Sequence, residues 1–378
     1  MTSHSRPKCR LIFVIDDMGV GGAQKQVREV VNRLDRERFS ADVVCISEGG
    51  ANAENLIGAG EVFCLGARRL YDNQGVAAAG RLATIIRRGR YHVAEAYLPS
   101  AHLLCAMALA GTRRTALVAA RRHVAALDPR WMGPATALLN RATWFSIANS
   151  RAVKRSVVER YGVPASRVAV VGNIIEMTSM PREDARRELG IGQGEFVISA
   201  AASFSRVKDY PTIVRAFAGF MKAHGRSVLL LAGDGPLRPA VAALAASLGL
   251  DGQVRFLGTV ADVSTVLSAS DAFVHASLSE GLSNAVLEAM AAGVPVVATD
   301  IPANREALGP DCGFLFGPGD WKGCLEGMER YASDGRLAAE AGKRCRRRVA
   351  AAFDSTAILK RRERIYRRLQ EVIDGGYR

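Results

Sequence analysis

The sequence predicts an α/β protein made of two doubly wound domains, each with a parallel sheet. The chain has 378 residues, which is more than one ordinary hydrophobic core holds and suits two domains of similar size. Short apolar runs alternate with longer segments of helical period from end to end, a pattern typical of parallel strands joined by crossover helices. The polar, proline-containing segment 176–194 separates two such series and marks the predicted domain boundary.

The first series begins with an apolar run at 11–15, which predicts a strand, and continues with a helical stripe that includes Val27, Val30 and Leu34. The apolar stretch 96–110 is interrupted by a proline and by polar residues, so it predicts a buried helix after a strand and not a membrane span. The further strands predicted in this half are 41–46, 93–97, 116–120, 144–148 and 168–171.

The second series begins with a strand at 196–202, and the helix predicted at 211–222 turns Ile213, Phe217 and Phe220 inward. A charged helix with an apolar stripe ends the chain. The further strands predicted in this half are 228–232, 254–257, 272–275, 294–298 and 314–316.

Composition narrows the partner classes. The formal net charge is +14, from 51 Lys and Arg against 37 Asp and Glu, and such an excess attracts nucleic acid, anionic membranes or phosphorylated small molecules. The basic clusters are scattered and no nucleic-acid module signature occurs, which argues against nucleic acid. The cysteines form no C-x-x-C pair and the first residues are too polar for a signal peptide, so we expect a reduced, cytoplasmic compartment.

The strongest candidate site is the segment SEGLSNAVLEAM at 279–290, which follows a predicted strand. A helix that begins near Ser283 at a strand's carboxyl end directs free backbone N–H groups at a ligand and makes an anion site. Gly281 permits close approach of the backbone to that ligand. Glu288 lies in an otherwise apolar helix, where a carboxylate needs a partner such as a ribose hydroxyl. The spacing alone also fits a solvated loop acid at Glu280 and a helix-surface acid at Glu288.

This segment and its continuation, AAGVPVVATD at 291–300, resemble the Glu-x7-Glu signature of the family 4 glycosyltransferases. The resemblance implies that Glu280 contacts a donor sugar and that Glu288 binds the ribose hydroxyls of its nucleotide. The backbone amides that it implies for the diphosphate and sugar are those around Gly281, Leu282 and Ser283.

The resemblance covers nearly the whole chain and is densest at 199–320. It implies the GT-B fold, with two facing Rossmann-like domains and an interdomain cleft. Active sites of open parallel sheets lie at the carboxyl ends of the strands, so this cleft is the predicted functional site. The predicted domains are an acceptor-side domain at 1–175, with the C-terminal helix at 357–378 packed back on it, and a nucleotide-sugar-binding domain at 176–356.

A second element, SFSRVKDYP at 203–211, connects the predicted strand 196–202 to the next helix and reaches the same rim. A lysine there can neutralise the charge of a departing diphosphate, although an isolated lysine before a helix is as often a surface residue. The element resembles the family's Arg-x4-Lys phosphate clamp, with Lys208 in the lysine position and Ser203 where the arginine is expected. Arg206 is the alternative second arm of the clamp.

The third element is the loop GVGGAQ at 19–24, between the first strand and the first helix. The dinucleotide fingerprint G-x-G-x-x-G fails at Gln24, which argues against a nicotinamide-dependent oxidoreductase. The loop is similar to the Gly-Gly-Ala loop of the family, which implies donor contacts for Gly21 and Gly22. An ordinary glycine turn is the alternative.

Weaker similarities lie at the end of the first half. The segments ANS and VVGN between 148 and 173 resemble the end of the family's N-terminal lobe and imply that Asn173 belongs to the donor site. Many family members carry a histidine that faces the donor sugar, and the corresponding stretch here reads AARRH. Arg121 and His123 are therefore candidate catalytic residues, with His102 as another substitute.

The resemblance implies retaining transfer from a UDP- or GDP-linked sugar to a glycan or lipid-linked acceptor, as in lipopolysaccharide or extracellular polysaccharide biosynthesis. It implies no metal or other cofactor, and no Asp and His cluster has metal-ligand spacing. A non-hydrolysing sugar-nucleotide epimerase of the same fold is the alternative, and an oxidoreductase is less favoured. The basic surface fits peripheral contact with anionic lipid at the inner face of the plasma membrane, with no nucleic-acid partner.

Overall fold

The structure, a computed structural model, describes residues 7–50, 52–124, 132–176 and 180–376, without the side chains of 132–135. The chain divides into two compact units, Met1–Ile174 with Ser355–Arg378, and Ile175–Asp354. Each unit has its own parallel sheet with helices packed against it.

The first unit has the strands β1 (Cys9–Ile15), β2 (Phe39–Cys45), β3 (Val62–Cys64), β4 (Val93–Tyr97), β5 (Ala116–Arg121), β6 (Phe145–Ala148) and β7 (Val168–Val170). Its helices are α1 (Gly22–Arg33), α2 (Asn73–Gly89), α3 (Leu98–Ala108), α4 (Met132–Ala142), α5 (Arg151–Tyr161) and, from the end of the chain, α14 (Ser355–Asp374). Within the described residues, the strands form one parallel sheet in the order β3-β2-β1-β4-β5-β6-β7.

Strand β1 lies at the centre of this sheet and is buried on both faces. Ile12, Phe13 and Val14 are 0% exposed. A parallel sheet covered by helices on both faces requires apolar side chains at successive positions, which explains the uninterrupted apolar run that predicted the strand. The chain reverses its direction of winding between β1 and β4, where Leu11 lies opposite Val93.

Helix α14 belongs to the first unit and is joined to β4 by a buried ion pair. The Arg362 guanidinium contacts the Glu95 carboxylate, and these residues are 2% and 1% exposed. Nη1 of Arg362 also donates to the Tyr97 hydroxyl at 3.1 Å, and the Tyr366 hydroxyl donates to Glu95. Breaking such a pair by removing one partner leaves an uncompensated buried charge and typically costs about 3–5 kcal/mol.

The second unit has the strands β8 (Phe196–Ala201), β9 (Ser227–Ala232), β10 (Val254–Gly258), β11 (Ala272–His275), β12 (Val296–Thr299) and β13 (Gly313–Phe316). Its helices are α6 (Arg182–Glu188), α7 (Tyr210–Ala223), α8 (Arg238–Ser247), α9 (Ser264–Ala269), α10 (Asn284–Ala292), α11 (Pro302–Leu308), α12 (Trp321–Ser333) and α13 (Gly335–Ala352). In the described part of this unit, the strands form a parallel sheet in the order β10-β9-β8-β11-β12-β13.

The strands predicted from the sequence are all present, with ends that differ by at most two residues. The prediction omitted β3, assigned no helix at the positions of α2, α4, α5, α9, α11, α12 and α13, and did not expect a helix in 176–194, where α6 lies. Strand β3 has three residues at a sheet edge, with Val62 and Cys64 exposed, so it lacks an apolar signal. Helix α6 is held by tertiary contacts instead, because Nη2 of Arg186 lies 2.7 Å from Oδ2 of Asp271.

Candidate functional site

Two loops leave the carboxyl ends of neighbouring central strands in the second unit. The loop at 202–209 follows β8 and the loop at 276–283 follows β11, and these strands flank the point where the winding of the sheet reverses. The backbone N–H of Leu278 donates to the carbonyl of Val207 at 2.7 Å and joins the two loops. Ligands of open parallel sheets bind at such a switch point, so these loops form the candidate site of this unit.

The side chains of Lys208, Glu280 and His275 meet at this point. Nζ of Lys208 and Oε1 of Glu280 form an ion pair. Nε2 of His275 lies 3.2 Å from the same Oε1, in a direction too bent for a standard hydrogen bond. Burial by itself would raise the pKa of Glu280, but the contact with His275 and the charge of Lys208 outweigh it and lower the pKa to about 2. Glu280 is therefore a carboxylate throughout the physiological pH range.

Helix α10 begins immediately after this carboxylate. Ser283 is its N-cap, and its hydroxyl accepts a hydrogen bond from the Val286 N–H at 3.3 Å. The N–H groups of the first turn carry the positive end of the helix dipole, which favours an anion. Gly281 and Leu282, which precede the cap, are buried. Glu288 lies in the second turn of α10 and is 9% exposed.

The Lys208 loop is supported by a glycine turn from the neighbouring strand. The Phe204 N–H donates to the Asp234 carbonyl at 2.9 Å. Gly233 has φ of +128°, and a Cβ there would lie 2.0 Å from the carbonyl oxygen of Ala202, so no other residue fits. Phe204 also stacks on Tyr210, with ring centroids 4.0 Å apart. The turn and the stack fix the start of the loop.

The two candidate second arms of the phosphate clamp both lie on this loop. Ser203 and Arg206 are exposed, and Arg206 shares a 3-10 turn, Arg206–Lys208, with Lys208. Arg206 makes no ion pair with any residue that the structure describes. Its guanidinium is therefore available to an anion.

In the first unit, Gly21 and Gly22 lie where α1 begins. Gly21 is the N-cap of α1 in an extended conformation, and a Cβ on it would lie 2.3 Å from Oε1 of Gln24. The preceding backbone is held by Asn52, whose Nδ2 donates to the carbonyl of Gly19 at 2.6 Å. The glycines allow this loop to lie close against its neighbours, as a tight turn or a ligand contact would both require.

The other candidates of the first unit are at the carboxyl ends of β4 and β5. The Arg121 guanidinium contacts Oδ1 of Asn140, and burial lowers the pKa of Arg121 to about 10. Nε2 of His102 lies 2.7 Å from Oγ1 of Thr143, and burial together with Arg121 lowers the pKa of His102 to about 3, so this ring is neutral. His123 is exposed. Arg121, His102 and His123 all line one small cavity of about 50 Å³.

Asn173 is reached through Arg122, a residue that the sequence did not single out. Nη2 of Arg122 donates to Oδ1 of Asn173 at 2.9 Å, and its guanidinium lies 5.8 Å from the centroid of the Tyr97 ring. Burial lowers the pKa of Arg122 to about 10. Arg122 thus joins Asn173 to the end of β4.

Two family models match the chain. One, described as Glycosyltransferase Family 4, matches residues 20–179, and the other, described as Glycosyl transferases group 1, matches residues 181–348. The N-acetyl-alpha-D-glucosaminyl L-malate synthase of Bacillus anthracis is 28% identical over 312 residues, which are 78% of this chain and 80% of that protein. This chain is a family 4 glycosyltransferase.

Two further similarities accompany this assignment. The lipopolysaccharide core biosynthesis glycosyltransferase LpsE of Rhizobium meliloti (strain 1021) is 31% identical over 163 residues, 43% of this chain and 47% of LpsE. A crystal structure of Anabaena Alr3699/HepE in complex with UDP and glucose has a TM-score of 0.82 at 21% identity, over 94% of this chain and 98% of that one. With the two parallel sheets, this likeness confirms the GT-B fold that the resemblance implied.

In this glycosyltransferase, the structure brings Lys208 and Glu280 together and adds His275, which sequence reasoning missed. The available signal was its position, as the last residue of β11 before the Glu280 loop. No helix in the described ranges is both long and apolar enough to cross a bilayer. Within the same ranges, no three His, Cys, Asp or Glu side chains gather as a metal site would require.

Proposed function

We propose that this glycosyltransferase moves a sugar from a nucleoside diphosphate sugar, UDP- or GDP-linked, to a glycan or lipid-linked acceptor with retention of configuration. The observation that carries the proposal is the ionised Glu280 beside Lys208, directly before the amino end of α10. Cations and N–H groups bind a diphosphate, and a carboxylate accepts hydrogen bonds from sugar hydroxyls. This arrangement therefore suits both halves of a nucleoside diphosphate sugar. The UDP and glucose in the Anabaena structure support the same donor class.

Each group has a distinct role in the proposed complex. The N–H groups at the start of α10 and the Lys208 ammonium bind the diphosphate. The Glu280 carboxylate accepts hydrogen bonds from hydroxyls of the donor sugar. Glu288, which is 9% exposed in the second turn of α10, accepts hydrogen bonds from the ribose hydroxyls. The second clamp arm is Arg206, because it is an exposed cation and Ser203 is uncharged.

The reaction needs charge stabilisation at the leaving group. The acceptor hydroxyl oxygen forms a bond to the anomeric carbon on the face from which the diphosphate departs, as the bond from that carbon to the diphosphate oxygen breaks. The hydroxyl proton passes to the departing diphosphate. Lys208 and the helix amino end stabilise the developing negative charge, and preorganised donors of this kind act most strongly in a partly buried site. We expect this chemistry to need no metal.

Binding and turnover measurements test the proposal. We expect either UDP or GDP to raise the unfolding temperature in buffer that contains EDTA, and the matching nucleotide sugar to be consumed with an acceptor pool. Nuclear magnetic resonance of the product should show the donor's anomeric configuration. Absence of binding by any nucleoside diphosphate or its sugar would refute the donor site. Conversion of the nucleotide sugar to its epimer without acceptor would establish the epimerase alternative.

The acceptor is proposed to be lipid-linked and to lie at an anionic membrane surface. Helix α14 buries Tyr366 and Leu369 and exposes a row of basic side chains. These exposed residues are Lys360, Arg361, Arg364 and Arg368. Such a row attracts anionic lipid by about 1 kcal/mol per cation near the surface. The role of LpsE in lipopolysaccharide core biosynthesis supports an envelope acceptor.

Sedimentation with vesicles tests the membrane contact. We expect binding to vesicles that contain phosphatidylglycerol and none to phosphatidylcholine alone, at about 0.15 M salt where long-range attraction is screened. A Lys360→Glu, Arg364→Glu, Arg368→Glu variant should lose the binding. Arg336→Glu, Lys343→Glu, Arg347→Glu, at exposed positions of α13 in the second unit, is the matched control with the same change of charge. Equal sedimentation of the triple variant and the wild type would exclude α14 as the membrane surface.

A further inference from the structure

His275 is a buried imidazole whose only neighbours along its strand are apolar. It ends β11, is 4% exposed, and its ring lies nearly parallel to that of Phe273, with centroids 6.5 Å apart. The other residues of the strand are Ala272, Phe273 and Val274, all 0% exposed. Burying a polar ring costs free energy unless the ring has a hydrogen-bonding partner. Packing alone would therefore favour an apolar residue at this position. The polar contact of His275 is with Glu280.

The Lys208 ammonium and the His275 imidazole approach the same oxygen of Glu280. Oε1 is in contact with Nζ of Lys208 and lies 3.2 Å from Nε2 of His275. In the proposed function, Lys208 binds the donor's diphosphate, and this anion competes with the Glu280 carboxylate for the N–H donors of one ammonium. Glu280 therefore loses part of this ion pair when the donor binds. Its side chain is 14% exposed, so water replaces little of the lost interaction.

We propose that His275 is a positioning residue that holds the Glu280 carboxylate toward the donor sugar once Lys208 has turned to the diphosphate. This inference rests on the proposed function and assigns a role that the sequence resemblance did not supply. The contact from His275 to Oε1 spans 3.2 Å but lacks standard hydrogen-bond geometry. Release of Oε1 by Lys208 lets the carboxylate turn until Nε2–H donates a straight hydrogen bond to it.

The surroundings offer few substitutes for His275. Among the described residues, Lys208 and His275 are the charged or titratable groups that act on Glu280. The neighbouring strand β12 contributes Thr299, whose hydroxyl donates to the Ser277 carbonyl at 2.6 Å. That bond fixes the backbone at the start of the 276–283 loop and uses the Thr299 hydroxyl. His275 is then the neighbour that can hold the Glu280 carboxylate.

His275→Leu and His275→Gln test the role as a pair. Leucine removes the donor, whereas the glutamine amide can place an N–H near the position of Nε2. We expect the Leu variant to raise the KM for the nucleotide sugar about tenfold, the effect of losing one hydrogen bond to a charged group, with a smaller change in kcat. The Kd of the nucleoside diphosphate alone should rise less than this KM, because that ligand draws Lys208 away but has no sugar for Glu280 to hold.

The pH profile separates positioning from packing. Without His275, burial raises the pKa of Glu280 in the donor complex, so its charged form is lost as pH falls. The Leu variant should therefore show a KM that worsens between pH 7 and pH 5, whereas the wild type and the Gln variant stay level. A Leu variant with the wild-type KM and pH profile would overturn the proposal. Equal losses for nucleotide sugar and nucleoside diphosphate, or a Gln variant as impaired as Leu, would also overturn it.

A measurement on the unmutated enzyme covers the case in which the Leu variant does not fold. In protein labelled with nitrogen-15 in histidine, we expect the ring signals of His275 to shift on saturation with nucleotide sugar. A smaller shift is also expected with nucleoside diphosphate, whose diphosphate likewise draws Lys208 from Glu280, and unchanged signals with bound nucleotide sugar would refute the role. If the wild type binds no nucleotide sugar at all, the proposed function itself fails, and the two failures are thereby distinguished.

Discussion

Each unit of this glycosyltransferase contains a buried carboxylate paired with a cation, and the two pairs differ in their surroundings. The Glu95–Arg362 pair has side chains 1% and 3% exposed and is closed by two tyrosine hydroxyls. The Glu280–Lys208 pair has side chains 14% and 21% exposed and lies where two loops leave the sheet. The closed pair fastens a helix to a strand, whereas the open pair can exchange a partner for a ligand. Enclosure therefore distinguishes a structural ion pair from a candidate functional one.

The largest effect should come from opening the closed pair. Glu95→Gln leaves the Arg362 charge buried without compensation and should destabilise the first unit by about 3–5 kcal/mol. Urea unfolding measures this loss. The control is Glu48→Gln, whose pairing with Arg68 spans 3.9 Å between side chains that are each 87% exposed and should contribute about 0–1 kcal/mol. Similar free energies of unfolding for Glu95→Gln and Glu48→Gln would mean that enclosure does not mark a structural ion pair.

Lys208→Ala should act on turnover instead of stability. Loss of the ammonium removes stabilisation of the departing diphosphate and should lower kcat by about 10²–10³-fold. The free energy of unfolding should fall far less than in Glu95→Gln, because Lys208 and Glu280 are both partly open to solvent. Lys222→Ala, an exposed lysine in the last turn of α7, is the matched control. Unchanged turnover in Lys208→Ala would remove this lysine from the mechanism.

In the first unit, Arg121→Gln should lower the rate of transfer. This guanidinium is held by the neutral Asn140, with its pKa lowered by burial to about 10, so it remains charged at neutral pH without a carboxylate partner in the part of the chain that the structure describes. We expect about a tenfold fall in kcat/KM for transfer, the effect of one charge-assisted hydrogen bond. The Kd of the nucleoside diphosphate should not change. Arg81→Gln, exposed on α2, controls for net charge, and a matching fall there would mean that Arg121 acts only through charge.

A further effect concerns acid stability. The pKa of Glu280 is lowered from its ordinary value of 4.5 to about 2, so its ion pair stabilises the fold above pH 4.5 and is lost as pH falls toward 2. The stability difference between wild type and Glu280→Gln should therefore narrow over that interval. Thermal unfolding at successive pH values measures it. A constant difference from pH 6 to pH 2 would contradict the lowered pKa.

The sequence was sufficient for the fold because buried parallel strands need continuous apolar runs, and β1 and β11 both have them. It missed β3 because an edge strand with exposed side chains has no such run. Its candidate site remains a prediction, built on the spacing of Glu280 and Glu288. The contact of Glu95 with Arg362 could not be predicted, because it joins two residues that only the folded chain brings together.

The bond from the Leu278 N–H to the Val207 carbonyl has a consequence for engineering donor preference. It couples the position of the loop at 202–209 to that of the loop at 276–283, although about seventy residues of chain separate them. Replacing either loop alone with the loop of another transferase would disturb this hydrogen bond and displace both Lys208 and Glu280. Specificity in this scaffold is therefore best exchanged as a matched pair of loops.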